Sequence, residues 1–227
     1  MHKKNRGQTA TEYLFLIGGA ILFVLLIILM LRGSVISSSS HKISADMDRF
    51  FNDYARYYLF YESFDSGNAY RWTPDQGTWG IENSEYLGIG AGNSTVAVTL
   101  HNFSMNAFIR TSSNGGLIFR KRNASNYYAV MVNVGNTVQL TRTTDGNTAL
   151  LAGPAAFTGD LQEGVYLRAD ANGTNVTIYV NNIAYLSVND LTEPLRLGHI
   201  GVTSPVDAQA VFFDNIRVFQ CVGQCGT

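Results

Sequence analysis

Charge and cysteine are both scarce in this chain of 227 residues. Lys and Arg number 16 and Asp and Glu 17, together 15% of the chain, for a net charge of −1. A protein that grips nucleic acid through its phosphates needs a basic excess, so this balance argues against nucleic acid as a partner. The two cysteines, Cys221 and Cys225, sit near the C-terminus in Cys-Val-Gly-Gln-Cys. Outside a cell they are expected to close as a small terminal disulfide; two free thiols or an intermolecular bridge are the alternatives. A metal site needs more ligands than this tail supplies. Also missing is any self-similarity with a period of roughly 20–50 residues, which weighs against a propeller or solenoid.

A long hydrophobic run is present, once. Tyr13 to Leu31 is 19 residues without a charge, about 28 Å long as a helix against a hydrocarbon core of ~30 Å. Lys3, Lys4 and Arg6 precede it and only Arg32 follows closely. The positive-inside bias therefore places the N-terminus in the cytoplasm and everything beyond Arg32 outside. An ordinary secretory signal has an apolar region of about 7–15 residues and an Ala-x-Ala-like site. This run is longer, and Leu-Arg-Gly-Ser-Val after it offers no such site; a simple signal anchor is the other reading. Glu12 stands at the mouth of the run. A lone acid costs roughly 2.5–3.5 kcal/mol at the centre of a membrane helix and less near its edge, so Glu12 calls for a partner. The plainer account is that it caps the helix start, where the helix dipole favours negative charge.

Beyond Ser37-Ser38-Ser39-Ser40, apolar residues recur at Ile43, Met47, Phe50, Phe51, Tyr54, Tyr57 and Tyr58. Steps of three, four and seven fit one helical face. The spacing predicts a long N-terminal helix ending around Tyr58 to Tyr61. From Glu62 the period becomes two. Leu117–Arg120, Tyr128–Val132, Val138–Thr141, Val165–Ala169 and Val176–Val180 read as strands. Asn114-Gly115-Gly116, Asp145-Gly146-Asn147, Asn172-Gly173 and Asn181-Asn182 read as turns between them. Short strands at roughly ten-residue spacing predict an all-β antiparallel sandwich. Asn-x-Ser/Thr sequons occur at Asn93, Asn102, Asn123, Asn172 and Asn175, all in the region expected outside the cell, which fits a glycosylated surface protein.

The N-terminus, Lys3-Lys4-Asn5-Arg6, then Gly7-Gln8, then Glu12-Tyr13 and the apolar run, resembles archaeal pilin precursors with class III signal peptides, relatives of type IV pilins. The resemblance implies cleavage between Gly7 and Gln8 by a membrane leader peptidase and pairing of Glu12 with the free amine of Gln8 on a neighbouring subunit. It thus implies a homo-oligomeric helical filament, with assembly machinery as partner and the membrane as host of the precursor. The expected organisation is residues 1–7 leader, 8–61 helix with its membrane part at about 13–31, 62–220 sandwich and 221–227 a Cys-containing tail.

The C-terminal region resembles the concanavalin A-like lectin/glucanase superfamily, in its laminin-G-like jelly-roll branch. Glu62-Ser63-Phe64-Asp65, Trp72, Gly77–Ile81, Gly116–Arg120, Tyr127–Val130, Asn175–Asn181, Gly198–Val202 and Val211–Val218 carry that likeness. The fold hosts lectins, enzymes and spacers alike. Its glucanase branch carries Glu-x-Asp-x-x-Glu or a close variant on one strand, and this chain has no such motif. Glu82 and Glu85 flank what reads as an Asn83-Ser84 turn, so no catalytic residue is assigned and no enzyme is expected. Carbohydrate binding is expected instead, with Arg110, Arg120, Tyr127, Tyr128 and Tyr166 as candidates if they point to the concave face; ordinary exposed sheet residues are the alternative. Trp72, Trp79, Phe119 and Phe212 are read as core. The resemblance also implies a structural calcium ion at Glu62, Asp65 and Asp214, unless Asp214 caps a turn or binds backbone amides. His101 and His199 lack companions at metal spacing and read as ordinary polar residues.

Overall fold

From Tyr58 the described backbone is strand, with side chains alternating at a period of two. The computed structural model describes residues 58–192, 194–204 and 209–221. By its contacts the chain divides into Met1–Arg56 and Tyr57–Thr227, and every described residue belongs to the second unit. The leader, the Gly7-Gln8 junction, Glu12, the apolar run, the expected helix as far as residue 57 and Cys225 lie outside the described residues. No helix occurs among the described residues, so none there is long and apolar enough to cross a membrane.

The strands in chain order are β1 (Tyr58–Glu62), β2 (Trp72–Pro74), β3 (Thr78–Glu82), β4 (Glu85–Ile89) and β5 (Gly92–Leu100). Next come β6 (Phe103–Thr111), β7 (Gly115–Asn123), β8 (Asn126–Asn133), β9 (Thr137–Thr144) and β10 (Asn147–Ala156). The series closes with β11 (Val165–Asn172), β12 (Asn175–Val180), β13 (Ile183–Asn189), β14 (Gly198–Ser204) and β15 (Ala210–Gln220). The expected helix end at Tyr58–Tyr61 is thus corrected to strand. Aromatic and aliphatic residues at 58–61 serve either period, and burial decides: Phe60 is 2% exposed while Leu59 and Tyr61 on either side are 39% and 45% exposed. Pairing with β15 satisfies the backbone.

All strand pairs are antiparallel, in two sheets. The first runs β13-β12-β11-β6-β15-β4-β3, with β1 taking the stretch of β15 that β4 leaves free; the second runs β10-β9-β8-β7-β14-β5-β2. The all-β antiparallel sandwich expected from period and turn spacing is what forms. Asp145-Gly146, Asn172-Gly173-Thr174 and Asn181-Asn182 join β9 to β10, β11 to β12 and β12 to β13, and residues at the first and third of these take positive φ (50°, 82°, 49° and 67°), as tight hairpins require. Asn114-Gly115-Gly116 differs: both glycines enter β7.

The inner faces meet in one core. Phe103, Met105, Ala107 and Ile109 of β6 and Val165, Leu167, Ala169 and Ala171 of β11 point inward, opposite Leu117, Phe119, Val130, Val132, Val138 and Leu140 of the second sheet. Each large side chain so buried contributes about 1.5–3 kcal/mol. Trp72 is core, as expected, and Trp79 packs half-buried against it, stacked on Tyr86 with ring centroids 5.2 Å apart.

Candidate functional site

The five residues expected to bind glycan go to three places. Arg120 and Tyr128 are fully buried, each 0% exposed, and are corrected from surface candidates to structural ones. Tyr128 shares its inward face with Val130 and Val132, and its ring stacks on Phe119 at 5.3 Å. Arg120 sits in an irregularity of β7 between Phe119 and Asn123 with φ at 50°. That extra residue turns it inward directly after Phe119, where simple alternation would send it out. Its guanidinium donates to the carbonyls of Leu195 (3.1 Å) and His101 (2.8 Å), tying two loops to the core. Tyr127 lies on the outer face of the second sheet, with its inward neighbour Tyr128 fixing the alternation.

Arg110 and Tyr166 remain together on the outer face of the first sheet. Register pairs Tyr166 with Phe108 and Arg110 with Phe212. The Phe108 and Tyr166 rings meet edge to face at 5.3 Å, and the Arg110 guanidinium lies 4.2 Å above the Phe212 ring. Glu85 holds that guanidinium from the side, taking Nη2 and, at 3.4 Å, Nε. Nη1 has no bond among the described residues. Ring and carboxylate together fix a long side chain in one geometry and leave one edge of its donor fork unused.

Beside this pair lies an open pocket of about 360 Å³ lined by Arg110, Ser112, Gln162, Gln209 and Phe212, with Thr111 and Ala210. Gln162 comes from the segment before β11, anchored where Asp160 accepts the Gln162 N–H (2.8 Å) and Leu161 accepts the Thr111 N–H (2.8 Å). Gln209 immediately precedes β15 and accepts from Ser112 (3.5 Å). The pocket therefore combines a part-exposed aromatic ring, a preoriented cation, two amides and a hydroxyl. Phe212, read from sequence as core, is half-buried on the outer face; Gln162 and Gln209 carry no sequence signal that distinguishes them.

The residues expected to hold calcium are not assembled as a set. Among the described residues no group of three or more His, Cys, Asp and Glu side chains is placed to hold a metal ion. Asp214 takes the backbone alternative: it accepts the Asn215 N–H (2.6 Å) and the Asn215 side-chain amide (2.7 Å). Burial pushes its pKa up to about 7, with the charges of Glu85 and Asp65 adding to the shift, against the Asn215 N–H and Arg217. A carboxylate raised from 3.8 stays neutral in the fold while the unfolded chain ionises, so stability falls as pH rises from about 4 to about 7 and is flat above. Asp214→Asn is expected to leave the melting temperature close to wild type at about pH 4 and to raise stability by about 1 kcal/mol at about pH 8, after screening of a partly exposed group. An equal change at both pH values would remove Asp214 as the cause.

Glu82 and Glu85 face each other across the β3–β4 hairpin, with Asn83 and Ser84 at φ 51° and 62° as its turn. Of the sequons, Asn123 and Asn175 are exposed, while Asn93, Asn102 and Asn172 are half-buried; Asn102 accepts the Gly173 N–H (2.9 Å). Cys221 is disulfide-bonded.

No family model matches the chain, and no curated protein matches it. Solved structures do. A carbohydrate-binding module, CBM66, from Bacillus subtilis is 19% identical over 66% of this chain and 96% of its own, with a TM-score of 0.60. A Bacillus subtilis protein of unknown function with a galectin-like fold is 11% identical over 75% of this chain and 99% of its own, with a TM-score of 0.57. A GH43 protein from Bacillus licheniformis is 13% identical over 71% of this chain and 39% of its own, with a TM-score of 0.58. At these identities the likeness shows the fold alone, an antiparallel two-sheet β-sandwich.

Proposed function

We propose that this chain is a cell-surface, pilin-like subunit whose β-sandwich head binds glycans, and that the Arg110 pocket is the glycan site. The observation that carries the binding half is the convergence of Arg110, Phe212, Gln162, Gln209 and Ser112 on one open pocket. A sugar ring offers an apolar C–H face and a rim of hydroxyls. The Phe212 ring suits the first, and the amides and the unused Nη1 donor of Arg110 suit the second. The Glu85 clamp preorganises the guanidinium, lowering the ordering cost of binding. Carbohydrate binding by a similarly folded module supports the reading. The absence of a Glu-x-Asp-x-x-Glu strand supports binding over hydrolysis. Neutral oligosaccharides (xylo-, manno-, galacto- and fructo-) titrated into the full-length chain in micelles are expected to include a binder. Arg110→Ala or Gln162→Ala is expected to weaken it at least tenfold, about 1.4 kcal/mol. Arg110→Ala should cost little stability, since a part-exposed ion pair contributes only about 0–1 kcal/mol. Undiminished binding by both variants would move the site elsewhere.

The filament half rests on the Lys3–Tyr13 pattern and the apolar run. In that reading Gln8 becomes the mature N-terminus, Glu12 pairs with its amine on a neighbouring subunit, and heads coat an extracellular filament. Burying an unpaired carboxylate among packed helices costs several kcal/mol and pairing offsets it. A mature mass beginning at Gln8 is expected. A chain retaining Met1 would leave the other reading, a membrane-anchored glycan-binding protein that forms no filament.

A further inference from the structure

The irregularity in β7 that turns Arg120 inward has a second consequence on the opposite side. It brings Lys121 to the outer face of the second sheet, in register with His199 of β14. Lys121 is 7% exposed and Thr95, beside it, 8%. Together they form the floor of an open pocket of about 220 Å³ whose walls are Asp75, Arg122, Asn123 and His199. At ~30 Å³ per water the space equals about seven waters, the size of one sugar ring.

The charge of this pocket departs from that of the chain. Lys121 and Arg122 outnumber Asp75, in a protein of net charge −1. Asp75 binds the Lys121 ammonium and so occupies one of its three N–H donors. Arg122 and His199 are exposed, and among the described residues neither has a side-chain hydrogen-bond partner that would use up its donors. Among the described residues no Phe, Tyr or Trp lines the space, so a broad stacking platform for a neutral sugar is not what the site offers. It offers donors for an anion next to acceptors for hydroxyls. A bare phosphate or sulfate would meet the Asp75 carboxylate as a like charge, whereas a sugar can give Asp75 a hydroxyl proton and turn its acid group to the cations. Taking the sandwich as glycan-binding, we propose that this pocket is a second subsite, selective for a sugar unit that carries a carboxylate. Lys121 and Arg122 read the carboxylate; Asp75 and Thr95 read the hydroxyls. Charge-assisted hydrogen bonds of this type are stronger than neutral ones, and in an open pocket they weaken with salt.

The test is calorimetric titration of the full-length chain in micelles with tri-galacturonate and with its methyl ester, which keeps every hydroxyl and removes the charge. The free acid is expected to bind at least tenfold more tightly than the ester, and less so at higher ionic strength. Lys121→Met and, as an exposed position where folding is not at stake, Arg122→Gln are expected to abolish that preference. Equal binding of acid and ester, or a preference surviving both substitutions, overturns the proposal. If neutral oligosaccharides still bind and respond to Arg110→Ala while acid and ester are equal, only this subsite fails. If no saccharide of either kind binds, the glycan-binding reading fails with it.

Discussion

Replacing Asp190 with alanine is expected to destabilise the sandwich by about 3–5 kcal/mol. Asp190 is 3% exposed and sits between β13 and β14. Its carboxylate accepts the Tyr128 hydroxyl at 2.6 Å and Arg142 Nη1 at 2.6 and 2.7 Å, with Thr192 at 3.3 Å. Tyr128 and Arg142 are cross-strand partners in β8 and β9, both turned inward. The carboxylate thus ties the β13–β14 connection to the middle of the second sheet. Alanine removes the shared acceptor from a buried phenol and a buried guanidinium at once. Burial alone would raise the Asp190 pKa, but the bonds from Tyr128 and Arg142 outweigh it and hold the group below 3.8. A lowered carboxylate contributes stability above its unfolded pKa that is lost as pH falls through the folded value. The wild type should therefore weaken below about pH 4 by this route, and the variant should not. Asp190→Asn keeps an acceptor for Tyr128 and should lose less. Urea denaturation reads both effects as shifts in midpoint; a midpoint for Asp190→Ala within error of wild type would refute the role.

The second large effect is expected at Gly116. A Cβ there would lie 2.0 Å from the Val130 carbonyl oxygen and 2.8 Å from Met131 Sδ. The thioether can swing away, but the carbonyl belongs to β8, which is paired on both sides by β7 and β9. The sheet itself must open to admit one methyl group. Gly116→Ala is expected to cost about 3 kcal/mol or more, at the upper end for overpacking. Gly80→Ala is the control: it lies on the terminal strand β3 with nothing within 4 Å of the added atom, and should stay within about 0.5 kcal/mol of wild type. Equal melting temperatures for the two variants would show that the close approach at Gly116 is relieved without cost.

Gly116 also marks where sequence reading reaches its limit. Asn114-Gly115-Gly116 has turn composition, yet both glycines are strand residues, chosen for the contacts a side chain would spoil: Val211 against Gly115 and the β8 backbone against Gly116. Composition reports the absence of a side chain, not whether φ or space demands it. The tyrosine pair is legible in the sequence. Tyr128, Val130 and Val132 alternate with Tyr127, Ala129 and Met131, and the larger apolar set marks Tyr128 as the inward member. Arg120 was not legible, because alternation sends it outward and one extra residue in β7 reverses it. The same residue places Lys121 opposite His199, so neither side of that change has a local signal.

Local periodicity and hairpin chemistry are properties of neighbours along the chain. The β-sandwich, most of its hairpin turns and the inward aliphatic faces therefore follow from the order of residues alone. So do the basic head, junction, acid and apolar run that suggest a filament subunit. Which strands lie side by side depends on contacts between residues tens of positions to about a hundred apart, as between Ser112 and Gln209. The Arg110 pocket, the Lys121 pocket and the Asp190 network are all assembled by such pairings. A binding site is a relation between strands, and a strand's own sequence carries no record of its neighbour.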